Sequence, residues 1–496
     1  MKLPRLPGAH GGAPLLLAGP RARGAFARGL LRPEIPVALS RGVLGPGVLA
    51  ALARGVLGPG VLAALARGVL GPGVLAALAF GAAAVQAGAP PDLARHPIDP
   101  PAAPGSSAPF LSADTAGTVW LSWIEPAGRD GHALRFSRLG PGRHWSAPGT
   151  VPTGDSMLAN WANSPAVVPL GGGRLAAAWP RLHAAGGEAA TVRVALSGNA
   201  GRTWTTPVTP HRDGTATEHG FVSLLPEGNG VRAVWLDGRK FAAEAAGAKG
   251  AAGHAHGADE SPDAEMTLRT AWIGPNGAAT PDESLDPRTC DCCPTAAVNT
   301  ARGTLVAYRD RSPGEVRDIS TLLMDGGGRA VEGKAGRAMA TREGRLRDDG
   351  WMIRGCPVSG PALAAHGNFV VACWYTAAAD TPRVQVAFSG DGGATFGPAA
   401  RVDQGHPLGR VAVALTPGGD AMVTWIEKAA SPAGAAGLMA LRISPDGTRG
   451  ESRALASVPN ARQAGTPRLV AGRDGLVLAW VEPGTPSKLR ALAWTP

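Results

Sequence analysis

Residues Pro361–Pro398, PALAAHGNFVVACWYTAAADTPRVQVAFSGDGGATFGP, decide how the rest of the chain is read. A short apolar run, Pro361 to Ala365, leads to a turn at Gly367-Asn368 and then to the β-rich Phe369 to Thr376. After a polar loop, Val384, Val386 and Phe388 alternate with Gln385 and Ala387, the period that a sheet face requires. The stretch closes on Ser389-Gly390-Asp391-Gly392-Gly393-Ala394-Thr395-Phe396. Nearly everything after residue 105 is a looser copy of this module.

Aligning the copies on the aromatic residue of the second strand gives seven units, anchored at Trp123, Trp179, Trp235, Tyr308, Trp374, Trp425 and Trp480. A turn glycine precedes each anchor, and successive anchors lie 51 to 73 residues apart, the length of one four-stranded blade with its loops. The expected fold is all-β, a propeller of seven blades, with six as the alternative if a half-repeat inflates the count. The last unit stops soon after Trp494, too early for a fourth strand of its own. An edge strand from about residues 95 to 115 is therefore expected to close the ring and hide the open edge. The domain reading is a leader over 1–89, a linker over 90–105 and the propeller over 106–496.

Composition agrees with this reading: 71 Gly and 45 Pro in 496 residues imply many turns rather than long helices. The formal charge of +10 suggests nucleic acid until it is located. Residues 1–89 hold nine Lys/Arg and one acid, so the remainder carries 39 basic against 37 acidic residues. Without a basic stripe in the body, a nucleic-acid partner is not expected.

The leader contains the unit Arg-Gly-Val-Leu-Gly-Pro-Gly-Val-Leu-Ala-Ala-Leu-Ala three times, from Arg41, Arg54 and Arg67. Copies so short and so rich in Gly and Pro do not build a solenoid. The last one supplies the parts of a secretory signal: a basic Arg67, an apolar run to Ala84, and small residues for cleavage near Ala87 or Ala89. An exported chain without a membrane span in its mature form is expected.

The octet at Ser389 to Phe396 matches the Asp-box pattern Ser-x-Asp-x-Gly-x-Thr-Trp, with Phe in the Trp place. A second stands at Ser197-Gly198-Asn199-Ala200-Gly201-Arg202-Thr203-Trp204, and weaker remnants occur at Ser137 to Trp145, Asp325-Gly326-Gly327 and Ser444 to Gly447. With the repeat count, residues 106–496 resemble the sialidase-like, bacterial neuraminidase repeat propellers. The resemblance implies that the boxes lock the hairpin between third and fourth strands, away from the binding side. It also implies a site built from three carboxylate-binding arginines, a tyrosine nucleophile helped by a glutamate, and an aspartate acid/base. The chain departs from that pattern. It has no Arg-Ile-Pro signature and only two tyrosines, of which Tyr308 takes an anchor place and leaves Tyr375 for chemistry.

In an up-and-down blade, the loop into the first strand and the loop between strands two and three share the face opposite the boxes. Those loops bring together Trp161, Glu218, His219, Asp237, Arg239, Asp291, Arg309, Asp310, Arg311, Trp351, Tyr375 and Arg410. Guanidiniums suit a carboxylate, and indole faces suit a sugar ring. The expected partner is a carbohydrate or another polar extracellular ligand, with no cofactor. Two chemistries stay open. In the first, Tyr375 is the nucleophile, one of Asp237, Asp291 or Asp310 the acid/base, and Arg239, Arg309, Arg311 and Arg410 the clamp. In the second the face only binds, Trp161, Trp351, Glu218 and His219 among its contacts, and turn caps and loop salt bridges account for its charges.

Cys290-Asp291-Cys292-Cys293 is the oddest local pattern, with Cys356 in the corresponding loop of the next unit. Adjacent Cα atoms lie about 3.8 Å apart, short of the usual disulfide span, so at least one of Cys292 and Cys293 needs a distant partner, with Cys356 the natural choice, and Cys290, Cys292, Cys293 and Cys356 are expected to be the disulfide cysteines. A thiolate metal site and free thiols are the alternatives, although the spacing departs from the usual zinc patterns. His254-Ala255-His256, in the Ala/Gly-rich insertion Lys240 to Glu265, reads as a solvated loop.

Overall fold

The computed structural model describes residues 93–495 apart from 129–130, 155, 185–186, 188, 243–264, 326–340, 430–434 and 461–463. The leader with its signal, His254, His256 and the pair Gly326-Gly327 fall outside the described residues. Seven antiparallel sheets make up the fold. In chain order the blades span Ser107–Val151, Ala166–Ser197, His219–Thr289, Ala296–Arg345, Ala362–Arg401, Pro407–Pro459 and Arg468–Thr495. The first six each keep their strands in sequence order, and the second has three strands with a bridge from Val194 to Val208 in the fourth place.

The seventh blade borrows its outer strand. Ala94–Pro97 pairs antiparallel with Lys488–Thr495, in the register Ala94 to Thr495 through Pro97 to Leu492. The closing strand is thus shorter than expected and lies in the segment read as linker. Ser107–Ala113, also inside the expected window, is instead the innermost strand of the first blade.

Each hydrophobic core lies between two blades rather than within one. Trp179 packs with Trp120, Leu134 and Phe136 of the first blade, and Trp425 with Val371, Cys373 and Val384 of the fifth. Trp123 packs on Val477 and Ala479 of the seventh blade, which closes the circle. Every anchor leans back on the preceding blade in this way, Tyr308 on Phe241 and Leu268 and Trp480 on Met422 and Leu438 among them. A buried indole is best satisfied when its N–H finds a partner, which Trp179 Nε1 lacks. Trp123, Trp235 and Trp425 donate to the carboxylates two residues on, Glu125, Asp237 and Glu427, at 3.1, 2.9 and 2.6 Å.

The two octets fold alike. Ser197 Oγ accepts from Gly201 N at 2.9 Å and Asn199 Oδ1 from Thr203 N at 2.9 Å. Ser389 Oγ accepts from Gly393 N and Asp391 Oδ1 from Thr395 N, both at 2.9 Å. Gly201 and Gly393 have φ of +82° and +87°, and a Cβ on either would lie 2.3 or 2.4 Å from Phe136 or Leu305 of the preceding blade. Glycine is required there by both conformation and space. The first strands surround an axial channel of about 960 Å³, and the loops entering those strands form its mouth on the face opposite the octets.

Candidate binding site at the mouth of the axial channel

Two arginines stand at the mouth of the channel, at the tops of the sixth and seventh blades, and reach the same turn of the second. Arg410 lays its guanidinium over the Trp161 ring, 4.8 Å from the centroid, and donates to the Gly465 carbonyl at 3.3 Å. Its backbone has φ of +56°, a strained conformation for a residue with a side chain. Arg468 lies over the Phe110 ring at 5.6 Å and donates to Ser164 Oγ at 3.3 Å. Among the described residues Arg468 has no ion pair, and its buried Nε has no hydrogen-bond partner. Removal from water without a counter-ion pushes its pKa down to about 10. Ser359 Oγ, also on the channel wall, is buried without a partner as well. The carboxylate among the described lining residues is that of Asp114, in the hairpin at the opposite end, where it caps Ala116 N and Thr118 N. The mouth therefore carries positive charge, an aromatic face and unmet donors.

The other residues singled out in the sequence separate into two charge clusters between blades. Between the second and third blades, Arg239 is bound by Asp237 at 2.7 Å and by Asp282 at 2.8 Å. His219 contacts Asp213 at 3.2 Å and Asp237 at 3.6 Å, and its ring stacks on His211 at 3.9 Å. Glu218 is half-buried beside them and its carbonyl accepts from Gly238 N. Burial opposes the charged forms here, but hydrogen bonds from His211, His219 and Thr215 hold Asp213 far below the usual carboxylate range. Burial likewise pushes His219 down, and Asp213 with Asp237 more than reverses it, so its pKa is raised. His211, Asp213 and His219 present ligand atoms within 4.8 Å of one another, a spacing a metal would accept. His211 Nδ1 and His219 Nε2 both meet Asp213, so the cluster staples the two blades, while the buried His211 Nε2 has no hydrogen-bond partner.

At the junction of the fourth and fifth blades, Arg309 is buried and spends its donors on carbonyls: Ser359 at 2.8 Å, Tyr375 at 2.8 Å and Arg317 at 2.6 Å. Trp351 covers it at 4.8 Å. Arg311 bonds Asp291 at 3.2 Å and Glu315 at 3.0 Å. Burial raises the pKa of Asp291 despite Arg311 and Arg317. Asp310 accepts from the Arg311 backbone and from Ser320 Oγ. Tyr375 packs edge-on against Trp351, and burial raises its pKa. Arg239 therefore sits in a different cluster from Arg309 and Arg311, Arg410 stands apart from both at the channel mouth, and among the described residues no hydrogen bond or ion pair links Tyr375 to Asp237, Asp291 or Asp310. Cys292 and Cys356 form the expected disulfide, which joins the entry loops of the fourth and fifth blades, whereas Cys290 and Cys293, also expected in disulfides, are buried thiols beside it.

Arg468, Ser359, His211 and Asp213 were absent from the expected set. Arg468 stands at the top of a first strand, as Arg410 does, and the repeat alignment carried that signal. The other three follow from loop paths that no periodicity reports.

No family model and no curated protein matches the chain. Solved structures similar to it include an α-L-arabinanase from Penicillium chrysogenum, 13% identical, covering 82% of this chain and 99% of that one with a TM-score of 0.43. A lectin from Burkholderia pseudomallei is 11% identical over 74% of this chain and 99% of its own, with a TM-score of 0.41. A Trypanosoma rangeli sialidase is 12% identical over 79% of this chain and 60% of its own, at 0.37. Identities this low do not transfer a substrate. Among the described residues no helix is long and apolar enough to cross a membrane.

Proposed function

We propose that the chain is an exported, sialidase-like propeller that binds the anionic end of a saccharide at its channel mouth and does not hydrolyse it. Arg468 carries this reading: a desolvated guanidinium with no ion pair among the described residues and an unpartnered Nε on a channel wall is a preformed seat for a carboxylate. Arg410 offers a second cation stacked on Trp161, and the channel gives the concave surface that small ligands occupy. Hydrolysis of the sialidase kind, an exception to the usual pair of carboxyl groups, would need Tyr375 with carboxyl groups beside it facing the substrate. Asp237 and Asp291 are instead committed to arginine partners, in clusters that do not line the channel. The disulfide agrees with an oxidising compartment.

Calorimetric titration with a sialic- or glucuronic-acid-terminated oligosaccharide and with its neutral reduced counterpart tests the proposal. Binding of the acid alone, lost in R468M and weakened in W161A, is the expected result. Equal binding of acid and neutral sugar would overturn it.

A further inference from the structure

The four cysteines at the junction of the fourth and fifth blades are arranged for exchange rather than for a single staple. The Sγ atoms of Cys290 and Cys293 lie 3.3 Å apart, and those of Cys290, Cys292 and Cys293 all lie within 4.8 Å of one another. Cys290 and Cys293 are 1% exposed, whereas Cys356, at the far side of the disulfide, is half-buried and reachable from solvent. Arg317 Nη1 lies 3.5 Å from Cys290 Sγ. Burial opposes a thiolate at Cys290, yet Cys293 as hydrogen-bond donor, with Arg317 and Arg309, outweighs burial and Asp291 and brings its pKa below the ordinary thiol value. Cys293, pushed well above that value by burial and by Cys290, keeps its proton. An asymmetric dithiol of this kind, one sulfur poised as nucleophile and the other as resolving thiol, is the chemistry of the Cys-x-x-Cys spacing that Cys290 and Cys293 have.

We propose that Cys290 and Cys293 form a redox-active dithiol that exchanges with the Cys292–Cys356 disulfide, carrying oxidation between the blade junction and a disulfide or dithiol partner at the surface. The Cys290 thiolate attacks Cys292 Sγ. The Cys290–Cys292 bond forms, and the Cys292–Cys356 bond breaks with its electron pair leaving on Cys356. Cys293 then loses its proton to the Cys356 thiolate and attacks Cys290 Sγ, releasing Cys292 as a thiolate. The sum converts one dithiol and one disulfide into the other pairing, with no external oxidant. The new Cys292 and Cys356 thiols can then reduce an outside disulfide by the same two exchanges, and re-form their own bond. The unpinned segment carries Trp351, which covers Arg309, and Ser359, which lines the channel.

Peptide mapping reads the pairing directly, because trypsin separates residues 289–302, with three of the cysteines, from 355–383, with Cys356 and Cys373. The full chain is held at pH 8, quenched in acid, alkylated and digested, with metal content measured on the same sample. Expected for the wild type is a mixture: linked peptides, and about a tenth or more of the chains with an internal disulfide in 289–302 and an alkylated Cys356. C290S, which removes the attacking thiol and leaves the staple intact, should give linked peptides only, whereas C293S can go no further than the Cys290–Cys292 bond and should show less of the internal disulfide than the wild type. Linked peptides alone in the wild type at every incubation time would overturn the proposal. So would one equivalent of zinc or copper with all four thiols reduced, the signature of a thiolate metal site.

Discussion

Replacing Arg468 by methionine separates a residue kept for binding from one kept for stability. The methionine retains the apolar stem that lies over Phe110 and removes the charge. The fall of the Arg468 pKa from 12.5 to about 10 has desolvation as its cause. A fall of that size corresponds to about 3 kcal/mol disfavouring the charged form in the folded state. The residue retains partial exposure and loses one bond to Ser164, so the net stabilisation expected of R468M without ligand is about 1 to 2 kcal/mol. Ligand reverses the order: a uronate-terminated oligosaccharide at 100 times its Kd stabilises the wild type by about 2.7 kcal/mol and leaves R468M unmoved. Denaturant melts of both proteins with and without the oligosaccharide give all four values. R442M, which removes a guanidinium already paired with Asp420 at 2.7 Å, is the control and should leave the ligand-induced shift intact. An unliganded R468M less stable than the wild type, or a ligand shift that survives in it, would refute the assignment.

Trp425→Ala removes a buried indole and orphans Glu427, and should cost about 3 to 5 kcal/mol in chemical denaturation; a loss under about 1 kcal/mol would mean that the inter-blade cores do not hold the ring. Asp391 is drawn down to about 2 from 3.8 by bonds from Thr395, so its contribution is complete above pH 3.8 and fades as pH falls towards 2. The stability gap between wild type and D391N should therefore shrink over that acid range, and a gap constant down to pH 2 would contradict the geometry. His219 has a raised pKa, so its contribution is full below 6.5 and lost as pH climbs through the elevated folded value. H219Q should accordingly lose more stability at pH 6 than at pH 9, and an equal loss would deny the Asp213 pairing. Tyr375→Phe should leave release of a fluorophore from a sialoside at the wild-type background, since among the described residues no carboxylate hydrogen-bonds its hydroxyl and Asp403 acts on it only through space; a drop of tenfold or more would restore the hydrolase reading.

What could be read from the chain by itself was whatever one module contains. Seven aromatic anchors announced seven blades, because each module meets the same need for a large apolar residue on its second strand. The octets were legible for a similar reason: the bonds among Ser389, Asp391, Gly393 and Thr395 span at most four residues. Even the choice of Cys356 as a partner followed from matching loops in successive modules. The fate of the charges was not legible. Arg309 and Arg410 look alike in the sequence and each stacks on an indole, yet Arg309 is buried and held by carbonyls 8 to 66 residues away, while Arg410 stands at the channel mouth. Arg468 meets Ser164 across 304 residues. Repeat periodicity reports which faces of a module are buried; ring closure alone decides which guanidiniums meet carbonyls and which are desolvated without a counter-ion, because a guanidinium's partners come from whichever loops the closed circle brings within three ångströms or so.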